Sequence, residues 1–227
     1  MQAIDAAAMS RYKIPRLVLM EHAGLAVAQA VFALARFGRA AGRVGGSSPR
    51  SAAAVIVCCG TGYNGGDGLS AARHLHGWGY PVHVVLTGRL SQLREEPAQF
   101  AAMLQPLEGS ITELTALQDL AAVERWLASC AVIVDALLGI GIRGAVREPV
   151  ASLIDRINRS GKPVVSADIP SGLDGDTGLP QGVAVKAAVT VTFGLPKQGC
   201  LSGQGPQHTG ELVVDPITMP RQLLEGT

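Results

Sequence analysis

Three short segments of the chain hold residue types from which a polar binding site could be built. GTGYNGGDG, residues 60–68, contains Gly60, Gly62, Gly65, Gly66 and Gly68. Glycines ahead of a helix leave backbone amides able to approach an anion at the helix amino terminus, so phosphate binding is one reading and a tight strand-to-helix turn is the other. Gly60, Gly62 and Gly65 formally satisfy GxGxxG, but the Gly66-Asp67 that follows is not part of that dinucleotide pattern. An acid beside a phosphate is awkward, which leaves Asp67 to cap the helix or face a ribose hydroxyl.

The other two segments end in carboxylates. Asp135 closes the apolar run AVIVD, and a carboxylate leaving such a strand needs a cation, donors or solvent. Asn64, Asp135 and Ser171 together offer amide, carboxylate and hydroxyl oxygens of the kind a hard cation prefers, although hydrogen bonding alone would account for each one taken singly. Asp168 ends PVVSAD and precedes Pro170-Ser171-Gly172. It suits general acid or base chemistry, or else caps the loop that follows; convergence of three strand ends favours the chemical role.

Those residues must be brought to one edge, and the rest of the sequence reads as the frame that does so. Apolar runs AVIVCC (54–59), PVHVVLT (81–87), AVIVD (131–135), PVVSAD (163–168), VTVTFG (189–194) and ELVVD (211–215) predict strands, with a weaker one at 110–114. Helices are expected at 4–12, at 17–37 after Pro15, from Leu69 to Gly77 or Gly79, near 92–104, at 116–128 and at 149–160. In the second of these, Leu17, Met20, Ala23, Val27, Ala30, Val31 and Leu34 recur at helical spacing, and the small Ala23 and Ala30 allow close approach. Residues 38–52, rich in Gly and Ser, read as a surface connection. Strands alternating with helices predict a Rossmann-like three-layer αβα sandwich around a mainly parallel sheet, a single domain over residues 1–227. Ligands of such sheets bind beyond the carboxyl ends of the strands, where strand order reverses.

Composition narrows the function. Hydrophobic residues make up 48% and charged residues 16%, which suits a sheet covered on both faces. With 19 Lys plus Arg against 18 Asp plus Glu there is no overall field to attract nucleic acid or an anionic membrane, so any phosphate must be held locally. Cysteines at 58, 59, 130 and 200 lack CxxC spacing, which argues against a zinc site or a disulfide framework and fits a reducing cytoplasm. No secretory signal is read at the amino terminus, and no segment approaches the roughly 20 uninterrupted apolar residues of a membrane helix.

Five motifs, in order, then resemble the NAD(P)H-hydrate epimerase, or YjeF N-terminal, family. MEHAG (20–24) is similar to the family's MENAG, YNGGDGLSAARHL (63–75) to NNGGDGLVAARHL, and VVSADIPSGLDGDTG (164–178) to its DIPSGLDADTG region. VDALLGIGIRGAVREP (134–149) and TFGLPKQG (192–199) complete the series, and the similarity runs from about Ile4 to Asp215. The resemblance implies an isomerase that interconverts the R and S epimers of hydrated NADH and NADPH, which are substrates and not cofactors. It implies that Tyr63, Asn64, Gly65, Gly66, Asp67, Gly139, Ile140, Gly141, Ile142, Arg143, Gly144, Ala145 and Asp168 bind substrate. It further implies that Asn64, Asp135 and Ser171 bind a potassium ion, and it suggests a homodimer whose interface is the long amino-terminal helix. Family members are often fused to a hydrate dehydratase, which here would act in trans or belong to a missing fused domain.

The mechanism expected is loss of the ring hydroxyl assisted by the adjacent nitrogen, followed by return of water to the other face, with Asp168 shuttling the proton. Ring opening and closure is the alternative. Two residues depart from the family pattern. Tyr63 stands for an Asn and could stack on a ring, and His22 stands for the Asn of MENAG and reads as a neutral, hydrogen-bonded histidine. They give some weight to a noncatalytic nucleotide-binding or interaction protein of the same fold. A nicotinamide-dependent oxidoreductase is the other competitor, and it is disfavoured by Thr87-Gly88-Arg89, which stands where that class carries an acid after its second strand.

Overall fold

The computed structural model describes residues 2–40, 54–107 and 110–225. Two helices, α1 (Gln2–Ser10) and α2 (Arg16–Ala40), precede the first strand, β1 (Val55–Gly60). The chain then alternates: α3 (Tyr63–Gly77), β2 (Val82–Thr87), α4 (Glu95–Leu104), β3 (Ser110–Leu114), α5 (Leu120–Ser129), β4 (Val132–Ala136), α6 (Val150–Arg159) and β5 (Val164–Ala167). After an irregular stretch come β6 (Val189–Phe193), the short helices α7 (Gln198–Leu201) and α8 (Gly205–Thr209), β7 (Glu211–Asp215) and α9 (Arg221–Glu225).

The seven strands form one sheet in the order β3-β2-β1-β4-β5-β6-β7, and every neighbouring pair is parallel. Side-chain alternation divides the interior in two. Val55, Val57 and Cys59 of β1 and Val132, Val134 and Ala136 of β4 face a core shared with α2, α3 and α4. Ile56, Cys58 and Ile133 face the opposite core, with Leu120, Val123 and Leu127 of α5 and Leu153, Ile154 and Ile157 of α6. Burying an aliphatic side chain of this size contributes about 1.5–3 kcal/mol, so both faces of the sheet drive folding. This is the three-layer αβα sandwich expected from the sequence. The chain leaves β1 toward β2 on one face and enters β5 from β4 on the other, so strand order reverses between β1 and β4.

Several boundaries differ from expectation. The third helix begins at Tyr63 and not at Leu69, so most of the glycine-rich segment is helix. The helix expected near 92–104 is a single 3-10 turn, Leu90–Gln92, followed by α4, and that at 116–128 is a 3-10 turn, Leu117–Asp119, leading into α5. The surface connection lies mostly outside the described residues, and its first residues continue α2 to Ala40. The expectation that no segment could span a membrane also needs correction: Arg16–Ala35 is long and apolar enough by composition. In this fold that segment is a core helix, with Met20, Ala23, Val27 and Val31 buried against α3 and the sheet.

Close contact between α2 and α3 explains the MEHAG motif. A Cβ on Gly24 would lie 2.3 Å from Ser70 Oγ and 2.6 Å from the Ala71 nitrogen, so it is this glycine, and not Ala23 or Ala30, that sets the approach. Glu21 fastens the crossing: it accepts a hydrogen bond from Ser70 Oγ at 3.1 Å, pairs with the Arg73 guanidinium and lies 3.1 Å from His74 Nε2. Gly24→Val should therefore force the helices apart and cost about 1–3 kcal/mol. Gly77→Ala, whose new Cβ would meet nothing within 4 Å, should be neutral or stabilising by up to about 1 kcal/mol. Urea unfolding of both variants tests this; equal midpoints would refute the close approach.

Candidate functional site

The crevice of an open parallel sheet lies beyond the strand ends that flank the reversal, here β1 and β4. At the end of β1 the helix follows with only Thr61 and Gly62 between, because three glycines leave out side chains that would block it. A Cβ on Gly60 would lie 2.0 Å from the Leu137 carbonyl oxygen, one on Gly65 1.8 Å from the Gly60 carbonyl oxygen, and one on Gly68 2.6 Å from Ala136 Cβ. A Cβ on Gly66 would lie 2.5 Å from Met20 Sδ. Gly65 and Gly66 are thus packing residues within α3, and the amides left without an intrahelical acceptor are confined to its first turn, since Gly66 N–H already donates to the Gly62 carbonyl. Asp67 is the fifth residue of α3 and does not cap it; the N-cap is Gly62, with no side-chain bond.

Asn64 is buried at the start of α3, and its Nδ2 donates to the Leu138 carbonyl at 3.0 Å. The same carbonyl accepts from Ser171 Oγ at 3.2 Å, while Leu138 N–H donates to that Oγ at 2.8 Å. Asp135, fully buried on β4, accepts from Ser166 Oγ at 2.8 Å, Ser171 N–H at 2.9 Å and Leu137 N–H at 3.3 Å. Asn64, Asp135 and Ser171 therefore do come together, with the Leu138 carbonyl as a fourth oxygen that no side-chain pattern could announce. Two features suit a cation here. Asn64 Oδ1 is buried without a hydrogen-bond partner. Burial also pushes the Asp135 carboxyl above its ordinary range despite donors from Ser171, Ser166 and Leu137, so a neighbouring positive charge would relieve the largest unfavourable contribution.

Beyond β5, Asp168 adopts φ +65°, a left-handed conformation uncommon outside glycine. It does not cap the loop that follows. Its Oδ1 accepts from Phe193 N–H at 3.1 Å and pairs with Lys197 Nζ, which also donates to the Phe193 carbonyl at 2.8 Å. Lys197 is only 6% exposed, and a lysine so buried requires such a partner. It belongs to the TFGLPKQG segment, but nothing in its spacing pointed to Asp168. Asp67 lies within electrostatic reach of Asp168, Lys197 and Asp5 of α1; burial and then the Asp168 charge push its carboxyl well above the ordinary range.

Tyr63 opens α3 beside two guanidiniums, with Arg16 and Arg94 at 4.3 and 4.6 Å from its ring centroid, and Arg16 donates to its hydroxyl at 2.9 Å. Residues 139–145 follow β4 as an irregular loop in which Gly144 has φ +73°. A Cβ on Gly139 would lie 3.4 Å from Asn64 Cβ and one on Gly175 3.3 Å from Ile140, whereas Gly141, Arg143, Gly144 and Ala145 are exposed and Ile142 is partly so. The loop thus runs from the neighbourhood of Asn64 to the surface. His22 is exposed and makes no hydrogen bond among the described residues, contrary to the reading of it as a bonded replacement for an amide. The DGDTG segment is a turn held by Asp174, whose Oδ1 accepts from Thr177 N–H and Oγ1 at 2.8 Å each and from Asp176 N–H at 3.1 Å.

Residues 16–199 match the family described as YjeF-related protein N-terminus. The chain is 45% identical over 211 residues to a bifunctional NAD(P)H-hydrate repair enzyme of Pyrobaculum aerophilum, covering 91% of this chain and 38% of that protein. A Salinibacter ruber protein of the same description is 40% identical over 232 residues, covering 99% of the chain and 41% of its own length. The chain thus spans about two fifths of these relatives. An NAD(P)H-hydrate epimerase of Limosilactobacillus fermentum is 35% identical over 214 residues and is covered over 92% of its length, as is 94% of the chain. The crystal structure of yeast ynu0 superposes with a TM-score of 0.80 at 30% identity, covering 98% of this chain and 88% of that one.

The Thr177 backbone and hydroxyl donors hold the Asp174 carboxyl below its ordinary range. A depressed carboxyl stabilises the fold above its unfolded pKa, and that contribution disappears as pH falls through the folded value. Asp174→Asn should accordingly lower the melting temperature at neutral pH, and the gap to the parent should close as pH falls below the ordinary carboxyl range. A gap that stays constant with pH would show that the turn does not depend on the carboxylate charge.

Proposed function

The chain belongs to the family of YjeF-related protein N-termini, and from that premise we propose that it interconverts the R and S epimers of hydrated NADH and NADPH. The observation that carries the reading is the pairing of Asp168 with the buried Lys197 at the carboxyl edge of the sheet, next to the reversal between β1 and β4. A hydroxylated ring carbon beside a ring nitrogen loses its hydroxyl readily once that oxygen is protonated, because the nitrogen lone pair fills the vacated bond. Return of water to the other face then inverts the centre. Asp168 is placed to carry the proton, and Lys197 and Phe193 N–H fix its orientation. No hydride moves in this sequence, so the nucleotide is substrate and not redox cofactor.

The remaining parts of the edge support the rest of a dinucleotide. Tyr63, Asn64, the first-turn amides of α3, Asp67 and the 139–145 loop surround the reversal point. A cavity of about 310 Å³ beyond β2 and β3, lined by Thr87, Gly88, Arg89, Gln92 and Thr115 among others, lies along the same edge and is large enough for part of the nucleotide. Asn64 Oδ1, the Asp135 carboxylate and Ser171 Oγ, with the Leu138 carbonyl, would hold a potassium ion, which would supply positive charge to join the three segments and offset phosphate. A hydrate dehydratase acting in trans, or as a fused domain, completes the repair; we place the protein in the cytoplasm as a homodimer through α2, which exposes Val18 and Phe32.

Separated R and S hydrates should approach equilibrium faster with purified protein, without oxidation of NADH, as followed by chiral chromatography. Asp168→Asn should slow this by about 10²–10⁴-fold, the usual contribution of a general acid or base. Unchanged exchange at high protein concentration with nucleotide still bound would favour the noncatalytic member, and substrate-dependent oxidation of NADH would favour the dehydrogenase.

Potassium should raise the melting temperature of the parent by mass action on the native state. Asp135→Ala should abolish that response. A parent that melts identically in potassium and potassium-free buffer would remove the ion from the site.

A further inference from the structure

The end of β2 carries a cation that the proposed chemistry does not use. Gly60 of β1 pairs in register with Thr87 of β2, so Thr61-Gly62, which leads into α3, and Gly88-Arg89 leave the sheet at the same level. Neighbouring strands lie about 4.8 Å apart, so the start of α3 and Arg89 are one strand spacing from each other along the edge. The two segments are closely packed: a Cβ on Gly88, at φ +134°, would lie 2.7 Å from Thr61 Cγ2, and Thr87 Oγ1 donates to the Cys59 carbonyl at 3.2 Å.

Arg89 and Gln92 line the cavity of about 310 Å³ that opens at this point, and Leu114, Pro149 and Val150 give it an apolar side. Arg89 N–H donates to Gln92 Oε1 at 2.9 Å, which holds the amide beside the arginine and leaves its Nε2 to donate elsewhere. Arg89 is exposed and forms no ion pair among the described residues. Arg16 and Arg94, by contrast, lie against the Tyr63 ring, and Arg16 also faces Glu96 at 3.3 Å. No carboxylate lines the cavity. Two acids of the adjoining segments are turned to backbone groups: Glu113 Oε1 accepts from Leu90 N–H at 2.7 Å, and Asp119 Oδ2 from Thr115 N–H at 2.8 Å and Ala116 N–H at 2.9 Å.

We propose that this corner distinguishes the two hydrated nucleotides, with Arg89 as a specificity residue whose guanidinium takes the phosphate monoester carried on the adenosine ribose of hydrated NADPH. The inference rests on the epimerase reading. In a sheet of this kind the pyrophosphate lies at the first-turn amides of the helix after β1, and the adenosine ribose falls at the end of the next strand. A carboxylate at that point accepts from both ribose hydroxyls and repels a phosphate. A guanidinium does the reverse, and its planar fork can bond two phosphate oxygens at once. The Gln92 amide supplies a further donor, and the apolar side of the cavity packs against the ribose and its base. In the order β3-β2-β1-β4-β5, Arg89 after β2 and Asp168 after β5 stand on opposite sides of the β1-β4 reversal. The two ends of one dinucleotide need such a separation. Arg89 therefore acts on the choice of substrate without touching the reacting ring.

Epimer exchange should be measured for the parent, Arg89→Ala and Arg89→Asp with each hydrated nucleotide, at low ionic strength where an exposed cation is least screened. The parent should prefer hydrated NADPH. Arg89→Ala should lower the ratio of kcat/KM for hydrated NADPH to that for hydrated NADH by about tenfold, and Arg89→Asp should turn the preference toward hydrated NADH. Equal losses on both substrates would place Arg89 on a phosphate common to the two and overturn the proposal, as would a parent ratio near one. A second readout does not depend on turnover: in titration calorimetry, adenosine 2′,5′-bisphosphate should bind the parent more tightly than adenosine 5′-monophosphate does, and Arg89→Ala should remove the difference. Equal affinities of the two probes for the parent would also overturn it. Arg89-dependent discrimination between the probes in a protein that epimerises neither hydrate would instead defeat the epimerase reading and leave the phosphate site standing, so the two failures are distinct.

Discussion

Everything at the working edge of this protein depends on how closely helix α3 can approach the ends of β1 and β4. Gly60, Gly65 and Gly68 occupy points where a Cβ would lie 2.0, 1.8 and 2.6 Å from backbone or side-chain atoms. No rotamer change can relieve a contact with a carbonyl oxygen, so these positions exclude side chains. The helix therefore starts two residues after the strand, and Asn64 and Asp67, one turn apart on α3, are delivered directly to the crevice between the strand ends. On the other side of α3, Gly24 and Gly66 let α2 close over it, and Glu21 locks the crossing through Ser70, Arg73 and His74.

Charge is the second organising term. Asp135 lies at the centre of the sheet with no formal cation among its hydrogen-bond partners and is held by donors from β5 and from the segments after β4 and β5. Because these donors belong to separate stretches of chain, their order is coupled: a shift of Ser171 would disturb Asp135 and Leu138 together. Asp168 solves the same problem differently, with a buried lysine as counter-charge. Two neighbouring carboxylates thus sit in unlike surroundings, one suited to a mobile ion and one to a fixed ammonium.

Tyr63 shows how a local departure from the family pattern is absorbed. Its ring lies beside Arg16 and Arg94, and its hydroxyl accepts from Arg16, which also lies 3.3 Å from Glu96. The aromatic ring therefore joins the starts of α2, α3 and α4, a packing function that a shorter amide could not perform. His22, in contrast, points to an exposed position where substitution is physically inexpensive.

The sequence by itself determined the layer architecture, since apolar runs with helical patterns between them have few other ways to bury both faces of a sheet. It also determined the ordered motifs that mark the family, and it located Asp135 and Asp168 at strand ends, because an acid after an apolar run is visible without coordinates. What it could not determine were relations between atoms far apart in the chain. The pairing of Lys197 with Asp168, the Leu138 carbonyl beside Asn64 and the contact of Gly24 with Ser70 have no periodicity or local spacing to announce them. The glycine-rich segment read as a loop because glycine weakens isolated helices; tertiary packing overrode that preference, since at those positions the lack of a side chain was worth more than helix propensity.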